Sequence, residues 1–443
     1  MSEHIKIKKG LDIPLKGAPS DKLTEDDKTL RFAIYPDDFP GPSWKAAVKP
    51  GDKVALGSPL LYDKNNPEIT LVSPVAGNVI EVERGERRHI NYISVEKDDS
   101  GNDIKPEFKT DTTENLILAL KKSGLWAMMR QRPFDIVPEA GIKPRDIFIT
   151  AFDSAPLAVE ILDDELAHWL EKGISALKKL TDGKVYLGIR GNQNIKSDIA
   201  ETFIFDGPHP AGNVGTQIAA IKPVNKGETV WTLDAATAAR IGLLCEKGEL
   251  DFHTVVAVTG QMVNDPHLIR TTIGAAIDSI IGNMLERKEG IRIISGNVLT
   301  GVKVSLEGYL HYPYRQITVI PEGDDADEFM GWASVNPNKY SVKHSFPAFL
   351  KGLAKPFDFD ARIKGGKRAM ILSGEYDKVF PFDIYPEYLL KAIMAGDIDR
   401  MEKLGIYEVA PEDFALPEFV DTSKIELQKI VREGLDNLRK ELN

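Results

Sequence analysis

The sequence predicts a multidomain α/β and α+β protein. Its 443 residues are about three times the roughly 150 of a typical domain. Turn residues separate short β-branched runs early in the chain, and strands alternate with helices beyond them. We therefore expect four regions: a biotinyl/lipoyl-carrier-like β domain (1–105), a Rossmann-like α/β domain (106–250), a β-grasp, SLBB-like module (251–325) and a mostly helical C-terminal region (326–443).

The first region carries strand-forming runs at 69–72, 79–82 and 90–95 between closely spaced prolines and glycines. The pattern of residues 51–79 is typical of a flattened β-sandwich of the carrier type, whose corners need glycine. A working carrier presents a lysine at a hairpin tip, and Lys64 lies near that position. Its neighbours Asp63 and Asn65 are not those of a modified lysine, so we predict an unmodified turn lysine.

The following regions show helical and strand patterns in turn, after a polar linker predicted at 97–109. Helices are predicted at 114–123, 164–180, 234–246, which Asp234 caps, and 270–285. Strands are predicted at 146–152, 184–189, 229–233, 254–259, 292–295 and 316–320. The last helix has a predicted capping box of Ser423 and Glu426, followed by an apolar stripe from Leu427 to Leu438.

Composition excludes several classes of function. The net charge of −11 argues against a nucleic-acid partner, which requires a basic face. The single cysteine, Cys245, excludes a disulfide framework and any iron–sulfur or Cys-rich zinc site made by this chain alone, and we expect it to be a buried thiol. Apolar stretches such as 147–159, which Asp153 interrupts, are too short for a bilayer. Residues 1–10 do not resemble a signal peptide, so we expect a cytoplasmic chain.

A glycine-rich segment at 206–216 is a candidate phosphate loop. Gly212, Gly215 and Thr216 precede a predicted helix, whose N-terminal N–H groups could hold a phosphate. The full dinucleotide fingerprint is missing. The alternative is a tight turn in which His209 and Pro210 pack one domain on the next.

A second candidate segment runs from Trp126 to Phe134. Its two arginines, Arg130 and Arg132, stand between aromatic residues and could clasp a planar electron-poor ring or an anionic loop of a partner. The alternative is a packing hinge between domains.

No metal site and no catalytic residue can be assigned from the sequence. The histidines His209, His253, His267, His311 and His344 lack the short spacing of metal ligands. No Gly-x-Ser-x-Gly elbow is present. The acidic run at 324–328 predicts a solvated loop rather than a cation site.

Six segments in order along the chain resemble the A subunit of the sodium-translocating NADH:quinone oxidoreductase. These segments are residues 7–14, 73–77, 84–88, 125–134, 206–215 and 292–301. The resemblance implies a peripheral protein on the cytoplasmic face of a bacterial inner membrane. The complex oxidises NADH, reduces ubiquinone or menaquinone and exports Na⁺.

Related chains are the C subunit of the Rnf complex and the flavin-binding subunit of complex I, which carry cysteine clusters and a Gly-rich nucleotide loop. This chain has neither. The resemblance therefore implies that it binds no cofactor tightly and is inactive and colourless alone. FAD, FMN, riboflavin and the 2Fe-2S centre are expected on the partner proteins of the six-subunit complex.

The family also implies a contribution to quinone binding and contact with the quinone-associated integral membrane subunit. The candidates for that contribution are Trp126, Arg130, Arg132 and Phe134. Two alternatives remain: a purely structural scaffold of the complex, and an NADH- or flavin-binding electron carrier like the Rnf relative.

Overall fold

The computed structural model describes residues 3–98, 106–162, 164–324, 328–329, 336, 339–342 and 356–442. The strands are β1 (Glu3–Lys6), β2 (Leu23–Glu25), β3 (Arg31–Ile34), β4 (Trp44–Ala46), β5 (Lys53–Val54), β6 (Pro59–Asp63), β7 (Thr70–Val72), β8 (Gly77–Arg84), β9 (Ile90–Lys97), β10 (Arg130–Arg132), β11 (Asp146–Thr150), β12 (Val185–Arg190), β13 (Glu201–Asp206), β14 (Val230–Asp234), β15 (His253–Thr259), β16 (Leu268–Thr272), β17 (Ile291–Ser295), β18 (Val302–Val304) and β19 (Gln316–Pro321). The helices are α1 (Thr113–Lys122), α2 (Asp164–Ala167), α3 (Leu170–Lys178), α4 (Val214–Ile221), α5 (Ala235–Lys247), α6 (Ile277–Ile281), α7 (Pro386–Met394), α8 (Ile398–Lys403), α9 (Ala415–Val420) and α10 (Leu427–Leu442).

The predicted N-terminal β-sandwich is confirmed. Its two sheets have the strand orders β3-β9-β8-β5 and β4-β6-β7. The exposed Lys64 lies in the turn between β6 and β7. Asp63 holds that turn because its carboxylate accepts hydrogen bonds from the backbone N–H groups of Ser43, Asn65 and Asn66. Of the predicted linker, residues 99–105 lie outside the described residues.

Strands β1 and β2 do not join this sandwich, although both lie within the first predicted region. Strand β1 pairs in parallel with β13 of the α/β sheet, with Ile5 opposite Phe205. Strand β2 pairs in parallel with β16 of the module. The first 25 residues therefore tie the second and third regions together, which a local β pattern cannot predict because pairing partners are distant in sequence.

The α/β domain is built on a six-stranded sheet of order β1-β13-β12-β11-β14-β10. All neighbours are parallel except β10, which pairs antiparallel with β14 at one edge. Asp234 caps α5 as predicted, since its side chain accepts a hydrogen bond from the N–H of Thr237. After β11 the chain continues to β12 and β13 on one side and returns to β14 on the other. The strand order thus reverses between β11 and β14.

The module contains a sheet of order β18-β17-β19-β15-β16-β2 and the short helix α6. The predicted helix at 270–285 is wrong: its first residues belong to β16, and only Ile277–Ile281 are helical. Gly274 separates the two at φ +81°, where a side chain would meet the carbonyl of Ala33. The β-branched residues before Gly274 favour the strand over the helical spacing that follows them.

Helices α7 to α10 form the predicted helical C-terminal region. The buried stripe of α10 consists of Leu427, Val431, Leu435 and Leu438. The predicted capping box is wrong, because Ser423 is buried and its hydroxyl donates to the carbonyl of Ala369 instead. The predicted helix at 164–180 is divided into α2 and α3.

Three further features of the chain bear on the predicted sites. In the described part of the chain, no helix is both long and apolar enough to cross a bilayer. Cys245 is half-buried on α5, and burial raises the pKa of its thiol. Of the acidic run, 325–327 lie outside the described residues. Glu328 differs from the solvated loop predicted for it, because it is buried among Lys339, Arg362 and Lys364.

Candidate functional site

A cleft of about 200 Å³ opens where the strand order of the α/β sheet reverses. Thr150 at the end of β11 and Asp234 at the end of β14 line one side. Gly296, Arg315 and their neighbours in the module line the other, and Glu412 of the C-terminal region also borders it. Because ligands of open α/β sheets bind at such reversals, this cleft is the first candidate for a functional site.

The loop after β13 places a buried histidine on the wall of the cleft. His209 is 3% exposed, and its Nδ1 lies 3.0 Å from the hydroxyl of Ser154. That hydroxyl accepts a hydrogen bond from the N–H of Gly212 at 2.8 Å. The backbone N–H of His209 in turn donates to Oδ1 of Asp12 at 2.9 Å. The predicted phosphate loop is therefore held by its own neighbours, including the N-terminal segment.

Burial lowers the pKa of the His209 imidazole to about 4, so the ring is neutral at neutral pH. The Ser154 hydroxyl accepts from the backbone N–H of Gly212 and forms a hydrogen bond with Nδ1 of His209, in which the donor depends on the ring tautomer. His209 also lines the cleft.

Arg132 forms a buried ion-pair cluster behind the cleft. Its Nη1 donates to Asp413 at 2.9 Å and its Nη2 donates to Glu412 at 2.7 Å. Burial alone lowers the pKa of Arg132, but the charges of the two carboxylates outweigh burial and raise it. Burial raises the pKa of both carboxyl groups, and the shared arginine opposes that rise. The side chain of Glu412 is 40% exposed and extends from this cluster to the cleft.

The same cluster packs against the first turn of α4. A Cβ atom on Gly215 would lie 2.7 Å from Nη1 of Arg132 and closer still to Oδ1 of Asp413. Thr216 is buried. The carboxylate of Asp413 thus lies beside the first turn of α4, while Asn213 and Val214 at the start of that helix line the cleft.

The other predicted ring-binding residues do not line the cleft. Trp126 is 2% exposed, donates from Nε1 to the carbonyl of Pro138 at 2.8 Å and meets Trp231 edge to face. Phe134 has φ +84° and packs on the core of the C-terminal region. Phe134 therefore joins the α/β domain to the C-terminal region, whereas these contacts of Trp126 lie within the α/β domain.

Arg130 connects the α/β sheet with the β-sandwich. Its Nη2 donates to the carbonyl of Asp38 at 2.6 Å and its Nη1 donates to that of Ala127 at 2.9 Å. The carboxylate of Asp38 in turn pairs with Nδ1 of His311 in the module at 2.8 Å, and the ring of Tyr35 stacks on His311. The α/β domain, the β-sandwich and the module therefore meet at Arg130. His311 lies two residues before Pro313, which lines the cleft.

Sequence reasoning missed most of the residues that shape the cleft. These are Asp153, Tyr314, Arg315, Glu412 and Asp413. Asp153 carried a signal, since it interrupts an apolar run at the end of a predicted strand. Glu412 and Asp413 carried none, because 280 residues separate Glu412 from Arg132. Among the described residues, no group of three or more His, Cys, Asp or Glu side chains could hold a metal ion.

Comparisons with known proteins match the chain along almost its whole length. Family models match residues 5–98 (NqrA N-terminal barrel-sandwich hybrid domain), 112–250 (NqrA second alpha/beta domain) and 255–305 (NQRA C-terminal domain). Three relatives are named as the A subunit of a Na(+)-translocating NADH-quinone reductase. The proteins from Serratia proteamaculans and Vibrio anguillarum are both 37% identical and cover 99% of this chain and 100% of their own. The protein from Neisseria meningitidis serogroup B is 35% identical, again over 99% of this chain and 100% of its own. The chain belongs to the NqrA family, the A subunits of Na(+)-translocating NADH-quinone reductases.

Proposed function

We propose that this chain is the peripheral NqrA component of a six-subunit Na⁺-exporting complex on the cytoplasmic face of a bacterial inner membrane, and that it acts at the quinone end of the reaction. NADH, FAD, FMN, riboflavin and the 2Fe-2S centre then belong to the partner proteins. The single observation that carries this division is the carboxylate of Asp413 beside Gly215 in the first turn of α4. A dinucleotide or flavin phosphate at this helix end would lie next to that carboxylate, which disfavours it.

The charges of the cleft support the same division. Asp153, Asp234 and Glu412 line it, and Arg315 is the arginine among its described lining residues. Arg315 is already paired with Asp234 at 2.8 Å. A phosphate would therefore meet no unpaired cation among the described lining residues, whereas an uncharged quinone ring needs none.

A structural scaffold is the second candidate function. It is favoured by the observation that Trp126, Arg130 and Arg132 donate hydrogen bonds inside the chain, to Pro138, Asp38 and Asp413 among others. On this view the chain binds no substrate and caps the integral membrane part of the complex.

Ligand binding by the purified chain distinguishes the candidates. The chain is titrated separately with short-chain ubiquinone, short-chain menaquinone, NADH and FMN, and heat or intrinsic fluorescence is recorded. We expect saturable binding of at least one quinone and none of NADH or FMN. Stoichiometric NADH or FMN binding would contradict the proposal, and the absence of any quinone binding would leave the scaffold function.

A further inference from the structure

We propose that a second pocket, in the C-terminal region, binds the phosphate of an anionic phospholipid, and that exposed apolar residues beside it rest in the membrane surface. This basic pocket has a volume of about 630 Å³. It lies between the loop at 358–368, helix α9 and the start of α10. The inference rests on the proposed peripheral location at the membrane, and it adds the surface by which this chain itself touches lipid.

The loop that lines the basic pocket has the backbone of an anion-binding segment. Its sequence from Lys364 to Arg368 is Lys-Gly-Gly-Lys-Arg. Gly365 has φ +126°, which favours glycine, and a Cβ atom on Gly366 would meet no atom within 4 Å. No described residue accepts a hydrogen bond from the backbone N–H of Gly365, Gly366 or Lys367. Successive free N–H groups of this kind can hold a phosphate oxygen.

The side chains around this loop add positive charge. Three cations share the two carboxylates of Glu328 and Asp360, and they are Lys339, Arg362 and Lys364. Arg368 lines the pocket and forms no ion pair with a described residue. Lys367 lies 3.3 Å from Glu426, but these side chains are 61% and 60% exposed, so water weakens the pair. Arginine and lysine at such a loop are suited to a phosphate.

The other carboxylates of the pocket have partners within the chain. Glu418 and Asp421 accept hydrogen bonds from backbone N–H groups between 423 and 428. Asp358 lies 3.5 Å from Nζ of Lys16. A phosphate at the glycine loop therefore faces free N–H groups and the cations beside them.

An exposed apolar patch continues from the same loop. Its four members are 48–69% exposed, and they are Ile371, Leu372, Tyr385 and Tyr388. Glu387 of α7 joins the two halves of the patch, because its carboxylate accepts hydrogen bonds from the N–H groups of Ser373 and Gly374 at 2.8 and 3.0 Å. The first half begins three residues after Arg368.

The patch and the pocket together favour a phospholipid over other ligands. Exposed apolar groups of this kind mark surfaces that bind a protein or a membrane. Tyrosine and aliphatic side chains beside arginine and lysine are typical of the membrane–water interface. A soluble phosphate has no use for the apolar patch, and an apolar protein surface has none for the glycine loop. A phospholipid bilayer satisfies both.

Sedimentation with lipid vesicles tests the charged part on the purified full-length chain. Vesicles of phosphatidylcholine alone are compared with vesicles that also contain the anionic phosphatidylglycerol. We expect at least about fivefold stronger binding to the anionic vesicles. Lys367→Glu combined with Arg368→Glu should weaken that binding at least about tenfold. The control, Lys45→Glu with Lys53→Glu on the β-sandwich, changes the net charge equally at exposed positions and should bind as wild type does.

A second pair of variants tests the apolar part in the same assay. Ile371→Ser with Leu372→Ser removes apolar surface beside the pocket, and we expect binding to anionic vesicles to fall about tenfold. The control is Leu30→Ser with Ile80→Ser, which removes apolar side chains that are 52% and 43% exposed on the β-sandwich. It should leave vesicle binding unchanged.

The outcomes separate this inference from its rivals. Failure of wild type to bind anionic vesicles, or unchanged binding by the Glu variant, overturns it. Inorganic phosphate that binds wild type but not the Glu variant, without any vesicle binding, would assign the pocket to a soluble phosphate. Unchanged binding by the Ser variant of the patch would remove the patch from the membrane contact. Quinone titration of the same proteins tests the proposed role at the quinone end independently, so either result can fail without the other.

Discussion

Among single residues, Arg132 has the most demanding environment, because one buried guanidinium serves two carboxylates from a distant part of the chain. Asp413 has no exposed side-chain surface, and Arg132 has 2%. Removing the arginine leaves a buried negative charge without a partner, which is costly in a medium of low polarity. Replacing a charge at the surface has little effect by comparison.

We therefore expect Arg132→Met to lower the free energy of unfolding by about 3–5 kcal/mol at neutral pH. Arg400→Met is the control, since Arg400 is 74% exposed and faces Asp397 at 3.4 Å, and it should change stability by less than about 1 kcal/mol. Urea denaturation of the three proteins measures both effects. Similar midpoints for the two variants would show that the cluster contributes no more than a surface pair.

His209 gives a prediction about pH. Its pKa in the folded chain is about 4, against an ordinary value of about 6.5, so the unfolded chain takes up the proton first as pH falls. The stability that the neutral ring contributes is complete above about pH 6.5 and is lost as pH falls towards 4.

The unfolding free energy of wild type minus that of His209→Gln should therefore fall from pH 7 to pH 4, by up to about 3 kcal/mol. Glu412 and Asp413 have the opposite effect, because their raised pKa values lower the stability of the folded chain as pH rises. Both proteins contain these two residues, so their effect cancels in the difference between wild type and His209→Gln. Parallel pH profiles of the two proteins would mean that His209 titrates normally.

At the scale of helices and strands, the sequence was informative where the pattern was local. The strands of the α/β sheet and the cap of α5 at Asp234 follow from short apolar runs and one capping residue. The predicted helix at 270–285 failed at Gly274, whose positive φ and contact with Ala33 arise from packing between domains. The pairing of β1 with β13 could not be predicted from the local sequence for the same reason.

A substitution in helix α4 tests how tightly Asp413 of the C-terminal region packs against it. Alanine normally stabilises a helix relative to glycine, by about 1 kcal/mol. At Gly215 the new methyl group would collide with Arg132 and Asp413, so we expect Gly215→Ala to destabilise the chain by about 1–3 kcal/mol. Gly366→Ala, where no atom lies within 4 Å, is the control and should be neutral or slightly stabilising. Thermal unfolding of both variants decides this, and a stabilised Gly215→Ala would contradict the close packing of Arg132 and Asp413 against α4.

At the scale of the whole molecule, the cleft is assembled from the α/β domain, the module and the C-terminal region. The sequence indicated the loop of Gly212 and Gly215 and the arginines of β10, but not that Asp413 lies between them. Contacts across 281 residues leave no periodic signal in one sequence. For this reason the sequence could not show that the predicted phosphate loop and the predicted arginine segment meet at one ion-pair cluster, that of Arg132, Glu412 and Asp413.

The carboxylate beside the first turn of α4 also predicts the visible spectrum of the purified chain. Because Asp413 disfavours a flavin phosphate there, the chain should be colourless as isolated, with no stoichiometric absorption at ~450 nm, where free flavin absorbs. A flavin band that survives gel filtration in a one-to-one ratio would restore the phosphate-loop role of Gly212, Gly215 and Thr216.

The most direct test of the central claim is to separate the two half-reactions in the assembled complex. Membranes containing the complex are depleted of this chain and assayed twice, for NADH oxidation by an artificial electron acceptor and for quinone reduction by NADH. The purified wild-type chain is then added back. The account predicts that NADH oxidation persists throughout and that quinone reduction is lost, then restored by the wild-type chain. Loss of NADH oxidation on depletion, or undiminished quinone reduction without this chain, would contradict it.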